Sequence, residues 1–128
     1  MSDDLARRAV ACRHWRWLPG MRCLDGSRML RAGSDLSGPY QAWSDEHYDA
    51  CACKMRPEET RDDLPDLSDP ATLGALLALV REAGAYIRHL SMLPMGCTVN
   101  VAWPDGRICD YHRETLAEAL VAALEAAP

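Results

Sequence analysis

Apolar residues recur at helical spacing most clearly between residues 69 and 84. Leu73, Leu76, Leu77 and Val80 form one stripe, and Leu79 widens it. Asp69 is placed to cap the first turn, Pro70 suits the first helical position, and Gly84 is placed to close the last turn. Gly74 weakens this helix unless a neighbour packs closely on it. A second stripe, Leu116, Leu120, Val121 and Leu124, predicts a closing helix over 115–126. Four alanines (117, 119, 122 and 123) support it, and Thr115 with Glu118 has capping-box spacing. Leu5, Ala9 and Cys12 predict a shorter amphipathic helix over 3–14, with Asp3 and Asp4 at the positive end of its dipole.

Elsewhere the period is two. Val99, Val101 and Trp103 share one strand face with Cys97. On the return strand Ile108 and Asp110 take one face, Cys109 and Tyr111 the other. Pro104-Asp105-Gly106 supplies the turn, so residues 97–111 are expected to form a hairpin. Asp25-Gly26 predicts another tight turn, with arms at 21–24 and 27–31. Pro19-Gly20 separates that hairpin from the first helix. A short strand is expected near 40–43, and the rest of 32–69 lacks periodicity. Hairpins mixed with helices predict the α+β class: a small antiparallel sheet from two hairpins packed against two or three helices. The expected organisation is one domain over residues 1–128, with an irregular acidic insertion at about 32–68.

Composition narrows the setting. The chain has 128 residues, 48% of them hydrophobic, which argues against wholesale disorder. No run approaches the ~18 consecutive apolar residues of a membrane span. Nothing resembles an export signal, so the six cysteines are expected to be reduced and the protein cytoplasmic. Thirteen of the fourteen basic residues are arginine, as GC-rich genomes tend to encode.

The net charge of −5 is unevenly divided. Residues 1–42 carry +3, residues 43–69 carry −6, and residues 70–128 carry −2. Internal pairing of the basic and acidic stretches is the plain explanation; two faces offered to partners is the other. Phosphate-dominated binding of nucleic acid fits this balance poorly.

Candidate chemistry concentrates in two places. His47, Cys51 and Cys53 supply an imidazole and two thiols within seven residues, the donor types that zinc prefers. Cys-x-Cys lacks the two-residue spacer of a zinc knuckle, so a small zinc-stabilised module is the alternative reading and no cofactor the leading one. Buried small cysteines beside a surface histidine explain the same residues. The other cluster is Arg13-His14-Trp15-Arg16-Trp17, continuing to Met21 and Arg22. Trp15, Arg16, Trp17 and Met21 are the candidate partner-binding residues, because tryptophan and arginine are enriched at interface hot spots. The competing reading has the tryptophans anchoring the chain over the core. Catalytic residues are not assigned. The thiols lack an oriented base, the carboxylates between Glu58 and Asp69 lack an apolar pocket, and phosphate-loop and nucleophile-elbow motifs are absent.

Three motifs carry a resemblance: Trp15-x-Trp17-x-Pro19-Gly20-Met21, Leu64-Pro65-Asp66-Leu67-x-Asp69-Pro70-Ala71-Thr72-Leu73-Gly74, and Glu118-Ala119-Leu120-Val121-Ala122-Ala123-Leu124. Together they resemble a family of small bacteriophage- and prophage-encoded proteins of unknown function. The resemblance spans both ends and the central helix but not residues 32–63. It implies a cytoplasmic phage accessory protein that binds a host or phage macromolecule. No site residues come with it. With the charge split and the motif-free chain, the leading expectation is a non-enzymatic accessory or regulatory protein that binds a host or phage protein, an anti-defence role being one form; a cryptic enzyme is the last alternative. Exposed hairpin edges would also allow a homodimer.

Overall fold

The structure, a computed structural model, describes residues 3–18, 20–26 and 64–128 in full and the backbone of 27–31 and 40–44. It is an α+β protein built from α1 (Asp3–Ala11), β1 (Ser27–Arg31), β2 (Tyr40–Ser44), α2 (Pro70–Glu82), β3 (Tyr86–Leu93), β4 (Gly96–Ala102), β5 (Ile108–Arg113) and α3 (Leu116–Ala126). The chain divides into two compact units, residues 1–16 with 76–128, and residues 17–75.

In the first unit β3, β4 and β5 form an antiparallel sheet with β4 in the centre. β4 follows the predicted alternation: Cys97, Val99 and Val101 are buried, while Thr98, Asn100 and Ala102 are half-exposed. Helix α3 packs against β4 and β5, and α1 packs against α3. Thr115 caps α3 as expected: its Oγ1 accepts from the Glu118 N–H at 3.2 Å, and Glu118 Oε1 lies 3.0 Å from the same hydroxyl. Seven residues of α3 are buried, among them Ala117, Ala119, Ala122 and Ala123. Small side chains let this helix be covered on more than one side, where Leu116 of the predicted stripe remains half-exposed. Arg8 reaches from α1 to Glu125 of α3 with Nη2 at 2.6 Å and Nε at 3.1 Å. Beyond α1, residues 12–14 are a turn and not the predicted last helical turn.

Strand β3 adds to the expected elements, which left residues 85–96 unassigned. Ile87 pairs with Val101, yet His89 pairs with Asn100, so Arg88 is an extra residue at a bulge. The bulge shifts the phase of the strand by one position, and Ile87 and Leu90 therefore stand three apart on one face. A two-residue loop, Pro94-Met95, joins β3 to β4 between the paired Leu93 and Gly96. The other turn forms where Pro104-Asp105-Gly106 predicts it. The Trp103 N–H donates to the Arg107 carbonyl at 2.8 Å and the Asp105 carboxylate accepts from the Arg107 N–H at 3.1 Å. At the end of α2, Gly84 has φ +108 and sits against Pro104, where an added Cβ would come within 2.8 Å of the ring.

The second unit corrects the first predicted hairpin. Residues 27–31 pair with Tyr40–Ser44, the expected short strand, and not with 21–24. Segment 21–24 is taken by residues 64–66 instead: the Leu24 N–H donates to the Leu64 carbonyl at 2.9 Å and the Asp66 N–H to the Arg22 carbonyl at 2.7 Å. Asp25-Gly26 still turns the chain, closed by the Gly26 N–H on the Cys23 carbonyl at 3.0 Å. The dipeptide fits the end of a four-residue turn as well as the tip of a two-residue hairpin.

The start of α2 ties this arrangement together. The Asp69 carboxylate accepts from the N–H and the hydroxyl of Thr72, both at 3.0 Å, which is the predicted cap. The Thr72 hydroxyl in turn accepts from the Arg22 N–H at 2.8 Å. Thr72 is fully buried, so the inward face of α2 is Thr72, Leu76, Leu79 and Val80, with Leu73 and Leu77 only half-buried. An apolar side chain at position 72 strands the Arg22 N–H and one cap bond. Gly74 has open space where a Cβ would stand, and nothing in the structure explains the glycine.

Thr72→Val is expected to destabilise the protein by about 1–3 kcal/mol, read as a lower urea midpoint at unchanged slope. Burial pushes the Tyr111 phenol above its ordinary value of 10.0. A raised folded-state value keeps its stabilisation below that pH and loses it as pH rises through the folded value. Comparing urea midpoints near pH 8 and about pH 11 should show an alkaline loss that is smaller in Tyr111→Phe.

Candidate functional site: the open face of the sheet

The face of the three-stranded sheet away from Cys97, Val99 and Val101 is assembled by register. Tyr86, Ala102 and Ile108 make one row across β3, β4 and β5. His89, Asn100 and Asp110 make the next, and Ser91, Thr98 and His112 the third. Tyr86 is 71% exposed and Ile108 59%, large apolar groups that a covered face would hide. Neighbouring strands lie roughly 4.8 Å apart, so the side chains of a row stand side by side on one surface.

The two polar rows are internally bonded. Asn100 Nδ2 donates to Asp110 Oδ1 at 2.5 Å, and Thr98 Oγ1 lies 2.7 Å from His112 Nδ1. Thr98 and His112 are a hydroxyl and a base within reach, the first two parts of an activated nucleophile. Asp110, two residues along the same face, bonds Asn100 and leaves the imidazole to the threonine. The pair also stands on an exposed surface and not in a closed cleft, where water screens charge. Chemically the rows present a fixed hydrogen-bonding surface beside an apolar strip. The far end of β3 carries a second exposed apolar group that is not confined to this face, since Met92 pairs with Cys97 on the other side. Met92 is 65% exposed, Leu93 59% and Met95 85%.

The residues singled out from sequence are placed differently. Trp17 is 6% exposed and Met21 is fully buried, its sulfur accepting from the Leu18 N–H at 3.3 Å. Neither side chain is displayed at the surface. Trp15 is half-buried, its N–H donating to the Cys12 carbonyl at 3.0 Å in the turn after α1. Arg16 is exposed and clasps both oxygens of Glu82, with Nη2 at 2.7 and 2.8 Å. His47, Cys51 and Cys53 lie outside the described residues. So do most acids of the −6 stretch. The two described ones serve local structure: Asp69 caps α2, and Asp66 Oδ1 accepts from the Ser68 N–H at 3.0 Å and hydroxyl at 2.5 Å. Among the described residues no group of three His, Cys, Asp or Glu is placed to hold a metal, and no helix is long and apolar enough to cross a membrane.

Sequence reasoning missed this face because a third of it belongs to β3. Tyr86, Ile87 and Leu90 were the available signal, hidden by the phase shift at Arg88. Comparison with known proteins finds no match among family models, curated proteins or solved structures.

Gly96 supports the third row. It has φ +140, and a Cβ there would stand 2.7 Å from the Arg113 carbonyl oxygen and 3.2 Å from the His112 ring. Gly96→Ala is expected to cost about 1–3 kcal/mol, measured by thermal denaturation, and to shift the His112 ring resonances.

Proposed function

We propose that the protein is a non-enzymatic binding module, a phage-derived accessory or regulatory protein that attaches to a host or phage protein. The observation that carries this reading is the exposed apolar row Tyr86–Ala102–Ile108 on a sheet face that α3 leaves uncovered. Exposed tyrosine and aliphatic side chains flanked by a fixed polar surface have the anatomy of an interface core and its rim. Exposed Arg88, at the bulge beside the row, suits a carboxylate on the partner. The phage attribution rests on the motif resemblance at residues 15–21, 64–74 and 118–124. An anti-defence role is one form such binding takes.

This reading relocates the contact surface from Trp17 and Met21, whose side chains are buried, to the sheet. Exposed Arg16 and half-buried Trp15 remain available for comparison. Tagged protein, incubated with bacterial lysate, is expected to retain a partner that a Tyr86→Asp/Ile108→Asp variant loses by tenfold or more, roughly 1.4 kcal/mol. Circular dichroism of the variant should match the parent, since both side chains already face solvent. Equal retention by the sheet variant, with loss in Arg16→Ala, would return the surface to the N-terminal cluster.

A further inference from the structure

We infer that β3 is a self-association edge, through which two copies of this chain join their sheets into one six-stranded sheet. β3 and β5 are the two edges of the sheet. β5 carries Asp110 and Arg113 within its six residues, and such charges discourage strand addition. The stretch 89–93 of β3 carries no Asp, Glu, Lys or Arg. It ends in Met92 and Leu93, 65% and 59% exposed, with Met95 at 85% in the loop beyond.

The bulge selects the register. Side chains opposite one another in an antiparallel pair share a face, so a self-pairing must match inward residues with inward ones. Across Arg88 the phase breaks, which confines a consistent pairing to 89–93. Leu90 and Met92 lie on the helix-covered side with Val99 and Cys97, while His89, Ser91 and Leu93 lie on the open side. Only an arrangement with its two-fold axis at Ser91 pairs all five residues and keeps the faces. It sets Leu90 against Met92 of the second copy, His89 against Leu93, and Ser91 against Ser91. Arg88 then falls opposite Pro94 and away from its own counterpart, so no like charges oppose each other. This interface is isologous, the commonest way that soluble chains pair.

Size sets the strength. Five paired residues a side fall well short of the roughly 20–30 of a standard interface, so the dimer is weak and concentration-dependent. Its residues are not those of the apolar Tyr86–Ala102–Ile108 row, although His89 and Ser91 also belong to the polar rows of the same face.

Sedimentation velocity of the whole protein from about 10 μM to about 1 mM is expected to show a rising dimer fraction. Met92→Lys, at a solvent-facing side chain, should weaken it about tenfold with unchanged circular dichroism; Leu93→Glu serves as a second variant. Ser91→Cys reads the register directly. Residues opposed across an antiparallel pair stand about 4.5–5.5 Å apart, within disulfide reach. Mild oxidation should therefore cross-link Ser91→Cys to a dimer well above the level that the native cysteines give. A wild type that stays monomeric throughout overturns the proposal. So does a dimer indifferent to Met92→Lys and Leu93→Glu, or a Ser91→Cys variant that cross-links no more than wild type.

Discussion

The sheet of the first unit depends on the burial of one face of β4. Cys97, Val99 and Val101 turn towards α3, and Trp103 continues the line with its indole N–H donating to the Tyr111 hydroxyl at 3.1 Å. Fully burying a valine contributes about 1.5–3 kcal/mol, so a slip of one residue, which exposes two valines at once, is heavily disfavoured. The registers of β3 and β5 follow from this alternation. The position of every side chain on the opposite face follows as well. An exposed Tyr86 and Ile108 result from a sheet whose phase is set elsewhere, on its buried side.

In the second unit the corresponding constraint is polar. Thr72 is buried only because its hydroxyl has partners on both sides, the Asp69 carboxylate and the Arg22 N–H. One threonine thereby joins a helix cap to the segment at 21–24. That segment is also held by the backbone of residues 64–66. The same arrangement accounts for two acids of the strongly negative middle stretch, which act locally and not as a displayed surface.

Legibility in the sequence tracked how local each determinant is. The caps of α2 and α3 and the turn at 104–106 lie within a few residues, and they form as the spacing indicates. The face of β4 was legible because its period is unbroken. The pairing of 21–24 was not, since the competing partner lies some forty residues away and announces itself by no pattern at 64–66. β3 was hidden by a single surplus residue. The candidate site was hidden with it, because the open face is defined by cross-strand neighbours. Trp15 and Trp17 drew notice by their spacing in sequence, but burial of Trp17 is decided by tertiary packing. The α+β class survived these misplacements, since class depends on which elements exist more than on which ones pair.

The bulge in β3 has a consequence for how this chain tolerates change. Arg88 is the position at which the count of residues and the count of pairing sites differ by one. Removing Arg88 would restore unbroken alternation while leaving Tyr86 on the open face and Ile87 on the buried one. Adding a residue anywhere from His89 to Leu93 would instead invert part of the strand. Within β3, then, loss and gain of a codon are not equivalent. The pairing of the strand holds one surplus residue and no room for another.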